Sequence, residues 1–479
     1  MASVSRIGGH ALAALLPDLH AQRGPVYAAL CDAITALILD GRIATETRLP
    51  SERELAGALL ISRATVTAAY DALRATGFLA SRTGSGSFAT VPAGSRPRST
   101  VARWQVGEQA DDVIDLARAA LPAPPGVLQA AVVEAAAALP LYAETDGYDP
   151  DGLPVLREAI AERFRSRGVP TSAEQIFVTN GALHALDLLL RLLIGPGDCI
   201  LTDLPTYPAA LDAARRMGAR TVTVPLAATG SWDVAALRST LRQTTPRLAF
   251  LVPDFHNPTG ALMDEADRRE VFRAARQTST TVIVDESFVE LGFVDGARPS
   301  AAIDPSVVTI GSLSKPVWGG LRIGWVRASS ELVQRLAVLR SSVDMGGAVL
   351  DQLVAASIMP QLDALMPARI LALRRQRDAL MNALARELPE WRVIEPLGGL
   401  SLWAELDAPL STRLSLLAAP AGVVIVPGSR FGVDGTLERF LRIPFALPPD
   451  RLTEAVSRLA AVWSQLDRSG APARQLVVA

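Results

Sequence analysis

From residue 113 onward the chain repeats one unit: a short apolar run of strand length, a polar turn, then an amphipathic helix. Residues 176–179, 199–202, 248–252, 281–284 and 307–310 are such runs. Alternation of this kind commits a chain to an α/β domain with a largely parallel sheet. The turns that follow such strands share one edge of the sheet, where open α/β folds bind ligands. Here the runs lead in order to Asn180-Gly181-Ala182-Leu183, to Pro205-Thr206-Tyr207-Pro208, to His256-Asn257-Pro258-Thr259-Gly260, to Asp285, and to Gly311-Ser312-Leu313-Ser314-Lys315.

Lys315 is the only lysine in 479 residues; arginine carries the rest of the basic charge. A guanidinium stays protonated and cannot supply the free amine of a Schiff base, whereas a lysine in a suitable site can. One retained lysine at a strand end therefore points to imine chemistry, and the other turns agree. Gly181, Ala182 and Leu183 open a helix whose first amides can hold a phosphate, and Arg322 can join them. Tyr207 offers an aromatic face to a ring, Asn257 a hydrogen bond to a ring hydroxyl oxygen, and Asp285 a carboxylate for a pyridine nitrogen. Singly these are ordinary caps and turns; together they are the set that pyridoxal 5'-phosphate requires, with Lys315 as its imine partner and catalytic residue.

An apolar fraction of 49% supports more than one core, and a net charge of -2 confines any basic surface to a local patch. Cys31 and Cys199 are far apart and read as unpaired thiols of a reducing cytoplasm. The histidines at 10, 20, 184 and 256 have no ligand spacing, so no metal site is expected. The apolar stretches around 127–138 and 186–194 are interrupted by Glu134 and Arg191, are too short to span a bilayer, and read as buried helices.

Residues 20–91 read as a separate head. Helical spacing of Val26, Leu30, Ile34, Leu37 and Ile38 gives one helix. Ser51 with Glu54 has the capping-box spacing that starts a second, and Ser62 caps a third that ends at Gly77. Two strands joined by Thr83-Gly84-Ser85-Gly86 complete the order of a winged helix-turn-helix. In that geometry Arg63, Thr65 and Thr67 enter the major groove, Arg82 and the wing glycine Gly84 approach the sugar-phosphate backbone, and Arg48 and Arg53 grip phosphates. Residues 92–112, rich in proline, glycine and arginine, read as a linker.

The stretches Arg48-Leu49-Pro50-Ser51-Glu52-Arg53-Glu54-Leu55-Ala56, Ser62-Arg63-Ala64-Thr65-Val66 and Gly84-Ser85-Gly86-Ser87-Phe88 resemble the GntR family of bacterial transcription regulators. One departure is Glu46, where that family usually has glycine, which implies a changed loop with binding kept. Residues 113–467 resemble fold-type-I pyridoxal-phosphate aminotransferases, with a small subdomain mainly over 345–467. The resemblance implies that Tyr148, in Tyr148-Asp149-Pro150-Asp151-Gly152, reaches the phosphate bound by the other subunit of a homodimer. It implies too that Arg442, in Leu441-Arg442-Ile443-Pro444, binds a substrate carboxylate. Phe288 stands where these enzymes commonly have a tyrosine, which puts catalytic turnover in doubt.

A GntR-like head joined to an aminotransferase-like domain resembles the MocR subfamily. That resemblance implies a cytoplasmic, homodimeric regulator that binds operator DNA and senses pyridoxal phosphate, or an amine or amino acid, by aldimine exchange at Lys315. The alternative is a working aminotransferase that carries a DNA-binding head.

Overall fold

The computed structural model describes residues 6–16, 19, 25–39, 42–82, 86–91, 112–227, 230–294, 298–433 and 436–466. The predicted linker lies outside the described residues except for Asp112, and so does Gly84.

The head contains α1 (Gly9–Ala13), α2 (Val26–Leu39), α3 (Glu52–Leu59), α4 (Arg63–Ala75) and the antiparallel pair β1 (Leu79–Arg82) and β2 (Gly86–Ala89). Its helix starts are set by the serines read from sequence: Ser51 Oγ accepts from Glu54 N at 3.2 Å and Ser62 Oγ from Thr65 N at 3.1 Å. Each bond satisfies an amide that a helix start leaves unpaired. Gly77, at φ 76°, ends α4 in the left-handed region and lets Phe78 N reach Leu73 O at 2.8 Å. Leu30, Ile34, Leu37, Leu55, Val66, Tyr70 and Leu73 form one core. Residues ahead of position 20 join it: Leu12 is buried there, Arg6 bridges to the Arg48 backbone, and Gly9 N donates to the Glu54 carboxylate at 2.8 Å.

After the linker, β3 (Ile114–Asp115) leads into a segment that crosses the molecule toward α5 (Val127–Ala143). The central sheet has seven strands: β4 (Ile176–Thr179), β5 (Cys199–Leu204), β6 (Arg220–Pro225), β7 (Leu248–Leu251), β8 (Thr281–Asp285), β9 (Val308–Ser312) and β10 (Gly324–Arg327). Their order is β4-β10-β9-β8-β7-β5-β6, with β10 antiparallel to both neighbours and the run from β9 to β6 parallel. Successive residues face opposite sides. Ile200, Phe250 and Ile283 pack with the helix Ala182–Leu193, and Leu201, Leu251 and Val284 pack with Phe272 on the other face.

The small subdomain is a four-stranded antiparallel sheet, β11-β12-β15-β14, from β11 (Arg392–Val393), β12 (Ser401–Glu405), β14 (Val426–Pro427) and β15 (Phe440–Pro444). Beside it β13 (Val423–Val424) pairs in parallel with β3. The helix Ser411–Ala418 lies against α2 of the head, with Asp32 and Arg413 3.9 Å apart.

One expectation fails. The 186–194 run sits in a helix with Leu186, Leu188, Leu189 and Leu190 buried, but α5 is not buried. Only Ala131 and Ala135 of α5 are fully buried, with Val127, Leu128, Ala138, Leu139 and Tyr142 partly covered, while Val132, Val133 and Leu141 are 42%, 67% and 77% exposed. Apolar composition says that a helix needs cover, not that its own chain provides it. No helix among the described residues is long and apolar enough to cross a membrane.

Candidate cofactor site and DNA face

The parallel run β9-β8-β7-β5 fixes the order of the strand-end residues along the sheet edge: Lys315, Asp285, Asn257, Tyr207. At the far end, β10 brings the Arg322 turn beside the start of the helix Ala182–Leu193. Arg322 holds a left-handed backbone, φ 54°, and donates from Nη2 to Asn180 O at 2.7 Å. A Cβ on Gly181 would lie 3.0 Å from that guanidinium, and one on Gly324 would meet the Gly181 carbonyl carbon at 2.6 Å. Both glycines therefore let the Arg322 turn pack closely against the start of this helix, whose first amides have no partner within it. His184 Nδ1 accepts from Asn180 N at 3.1 Å and steadies this turn.

Lys315 is half-buried. Burial first, and then the Arg442 charge, pull its ammonium down to about 8, against the opposing pull of Asp285. Burial raises the Asp285 carboxyl, opposed by hydrogen bonds from Ser287 and by Lys315; Ser287 N donates to it at 2.9 Å. Burial also raises the Tyr207 phenol, next to Asp285, Arg442 and Arg322. Asn257 Oδ1 is buried without a hydrogen-bond partner among the described residues. Phe288, buried, presents its ring 5.5 Å from Lys315 Nζ.

Three elements support the site from behind. The Asn257 turn is held from behind by His256, whose Nδ1 bonds to Thr259 Oγ1 at 3.0 Å and whose imidazole burial pulls down to about 3, hence neutral. Beside it Asp203, pushed by burial up to about 7, accepts from Trp232 Nε1 at 2.8 Å and Val252 N at 3.2 Å. Fully buried Arg340 pairs with Asp344 at 2.6 Å, and Asp344 in turn accepts from Asn180 Nδ2 at 2.9 Å.

The third element is a strap. Lys315 Nζ donates to Ala119 O at 2.7 Å, and Arg442 Nη2 donates to Ala117 O. Arg442, on β15, lies 5.2 Å from the Phe431 ring and keeps Nε buried without a partner among the described residues. The two cations named from sequence thus hold neighbouring carbonyls of one segment. That segment is anchored by Ile114 N to Gly422 O and Leu116 N to Val424 O, both 2.8 Å, and by Arg458 Nη1 to Asp112 O at 2.7 Å. Tyr148 is 59% exposed.

On the head, Arg48, Arg53, Arg63 and Arg82 are exposed, and Thr65 and Thr67 are half-buried on α4. Thr67 Oγ1 donates to Glu52 at 2.8 Å and Arg63 Nε lies 3.6 Å from the same carboxylate; Thr65 Oγ1 bonds with Ser62 Oγ at 2.8 Å. Arg48 runs along the wing, where a Cβ on Gly86 would meet its Nε at 2.8 Å. Arg82 pairs with Glu46 and lies 4.6 Å over the Phe88 ring.

Comparison with known proteins agrees with both halves. Residues 111–459 match the family described as aminotransferase class I and II, and residues 26–89 match the bacterial regulatory proteins of the gntR family. An aromatic-amino-acid aminotransferase of Thermococcus litoralis is 32% identical, over 74% of this chain and 88% of its own. The crystal structure of a multiple substrate aminotransferase from Thermococcus profundus, 28% identical, superposes with a TM-score of 0.68 over 74% of this chain and 92% of that one. The chain belongs to the class I and II aminotransferase family, whose members depend on pyridoxal phosphate. The probable rhizopine catabolism regulatory protein MocR of Rhizobium meliloti is 29% identical over 93% of this chain and 95% of its own. A gntR-type head fused to an aminotransferase domain, matched end to end by such a regulator, gives this chain the architecture of the MocR subfamily.

Proposed function

We propose that this protein is a cytoplasmic, homodimeric transcription regulator whose head binds operator DNA and whose aminotransferase domain binds pyridoxal phosphate and reports an amine or amino acid, or the cofactor itself. The observation that carries this reading is the strap. Lys315 and Arg442 both hold the segment that continues directly from the linker to the head, so whatever engages these cations bears on the head's tether.

The residues fit the cofactor. The amides opening at Gly181, Ala182 and Leu183, with Arg322, suit its phosphate; Asp285 suits the pyridine nitrogen and Tyr207 the ring face. Asn257 is a buried, unused hydrogen-bonding group at the same edge. Bound pyridoxal phosphate supplies an aldehyde carbon for which Lys315 and an incoming amine compete. Lys315 must give up its proton to take part, and Arg442 makes that easier. Arg442 would take the ligand carboxylate in place of Ala117 O. Only a ligand that binds one strap position better than the other can shift the head. The outward apolar face of α5 supports the dimer, in which Tyr148 would extend toward the neighbouring site.

Adding pyridoxal phosphate to the purified protein is expected to produce a visible absorbance that Lys315→Ala abolishes. A wild-type protein that stays colourless refutes the cofactor reading. The set at the sheet edge also permits turnover, and steady keto-acid production from an amino donor at ordinary enzymatic rates would make the enzyme reading the primary one.

A further inference from the structure

Glu46 occupies a backbone position that suits glycine. Its φ is 65°, in the left-handed region, and the surrounding chain holds it there: Glu46 N donates to Ala89 O at 2.8 Å and Ala89 N to Thr47 O at 2.9 Å. A side chain kept at a strained position needs a local partner, and this one has it. The Glu46 carboxylate pairs with the guanidinium of Arg82, the last residue of β1, which also lies over Phe88. Both side chains remain about half exposed, 58% and 51%, so the pair sits on the surface of the wing and not in the core.

Arg82 is a wing side chain whose exposed charge can meet a phosphate. A phosphate and the Glu46 carboxylate can each offer that guanidinium an anionic pair of oxygens. We infer that Glu46 is an affinity-setting residue: an intramolecular competitor that occupies Arg82 and lowers the wing's grip on the DNA backbone. The inference rests on the DNA-binding reading of the head. When duplex takes Arg82, a carboxylate is left unpaired beside the phosphates, so the contact gives up part of its gain and releases fewer counterions than a free arginine would. The departure at position 46 thus has its effect on the wing arginine and not only on the loop that carries it.

The test is fluorescence anisotropy of the full-length protein on a labelled 30-base-pair random-sequence duplex across a salt series. Glu46→Gln keeps the length and removes the charge; Glu46→Gly also relieves the left-handed strain and guards against misfolding of the first variant. Both are expected to bind about two- to five-fold tighter at low salt, with a log-log salt slope steeper by up to about 0.9, one phosphate contact. In an Arg82→Ala background the gain should shrink to the residual effect of charge alone. Unchanged affinity and slope in both single variants overturn the inference, as does a gain that survives intact without Arg82. Wild-type protein that fails to bind the duplex at low salt overturns the DNA-binding reading itself, a distinguishable result.

Discussion

At the scale of single residues, Lys315 is set up to react near neutral pH. Its ammonium, held near 8 by burial and by Arg442, loses its proton as pH rises through that value, and the neutral amine is the nucleophile. The rate at which the protein captures pyridoxal phosphate, followed by absorbance in stopped flow, should therefore climb between about pH 7 and 9. Arg442→Ala removes one of the two influences that depress the lysine and should move the climb to higher pH; an unmoved profile would mean that burial alone sets it. Phe288 is the neighbouring departure: its ring lies by the lysine without a hydroxyl to offer a ring oxygen. The strand-end positions of Lys315, Asp285, Asn257 and Tyr207 were legible in sequence because an apolar run followed by a polar turn is a local signal. Ala117 and Ala119 were not, because they act through carbonyls that every residue has. Arg340 and Asp344 were hidden too, since an arginine and an aspartate four residues apart look in sequence like any surface pair.

Among elements, the caps of the head were readable and make a direct prediction. Ser62→Ala removes the side-chain acceptor of Thr65 N at the start of α4, leaving that amide only the Ser62 carbonyl at 3.1 Å, and is expected to lower head stability by about 1 kcal/mol, measured as a reduced thermal or urea midpoint. Loss of DNA binding without that shift would mean that Ser62 meets DNA itself. Strand positions were equally readable, since each apolar run needs its turn chemistry. The short α1 was not: it begins at consecutive glycines with no side-chain cap, and its place comes from long-range bonds to Glu54 and Arg48. The exposure of α5 was misread for a related reason. Its pattern is apolar all round, and such a helix seeks cover without the sequence saying from where.

For the whole molecule, that uncovered face is the clearest sign of a larger assembly. Val133→Asp together with Leu141→Asp should shift the protein from dimer to monomer in sedimentation velocity, with the folded spectrum kept because neither side chain supports its own core. A dimer that survives both changes would place the dimer interface elsewhere. Within one chain, the head also rests on the small subdomain through α2 and the helix Ser411–Ala418, whose start is capped by buried Glu438 at 2.9 Å from Thr412 N. Glu438 leads into β15, the strand of Arg442, so that arginine and the helix that meets the head share one short stretch of structure.

The anchoring of the strap bears on how such proteins diversify. Asp112 is pinned by Arg458, and β3 by β13, so the strap is fixed from that point onward, while the wing ends at the other side of the linker. Residues can be added or lost between these two fixed ends without touching either. In the proposed dimer, the reach between paired heads, and with it the spacing of DNA half-sites, can then drift as a separate trait from the choice of effector. Lineages that share one chemical signal could thereby come to govern differently spaced operators.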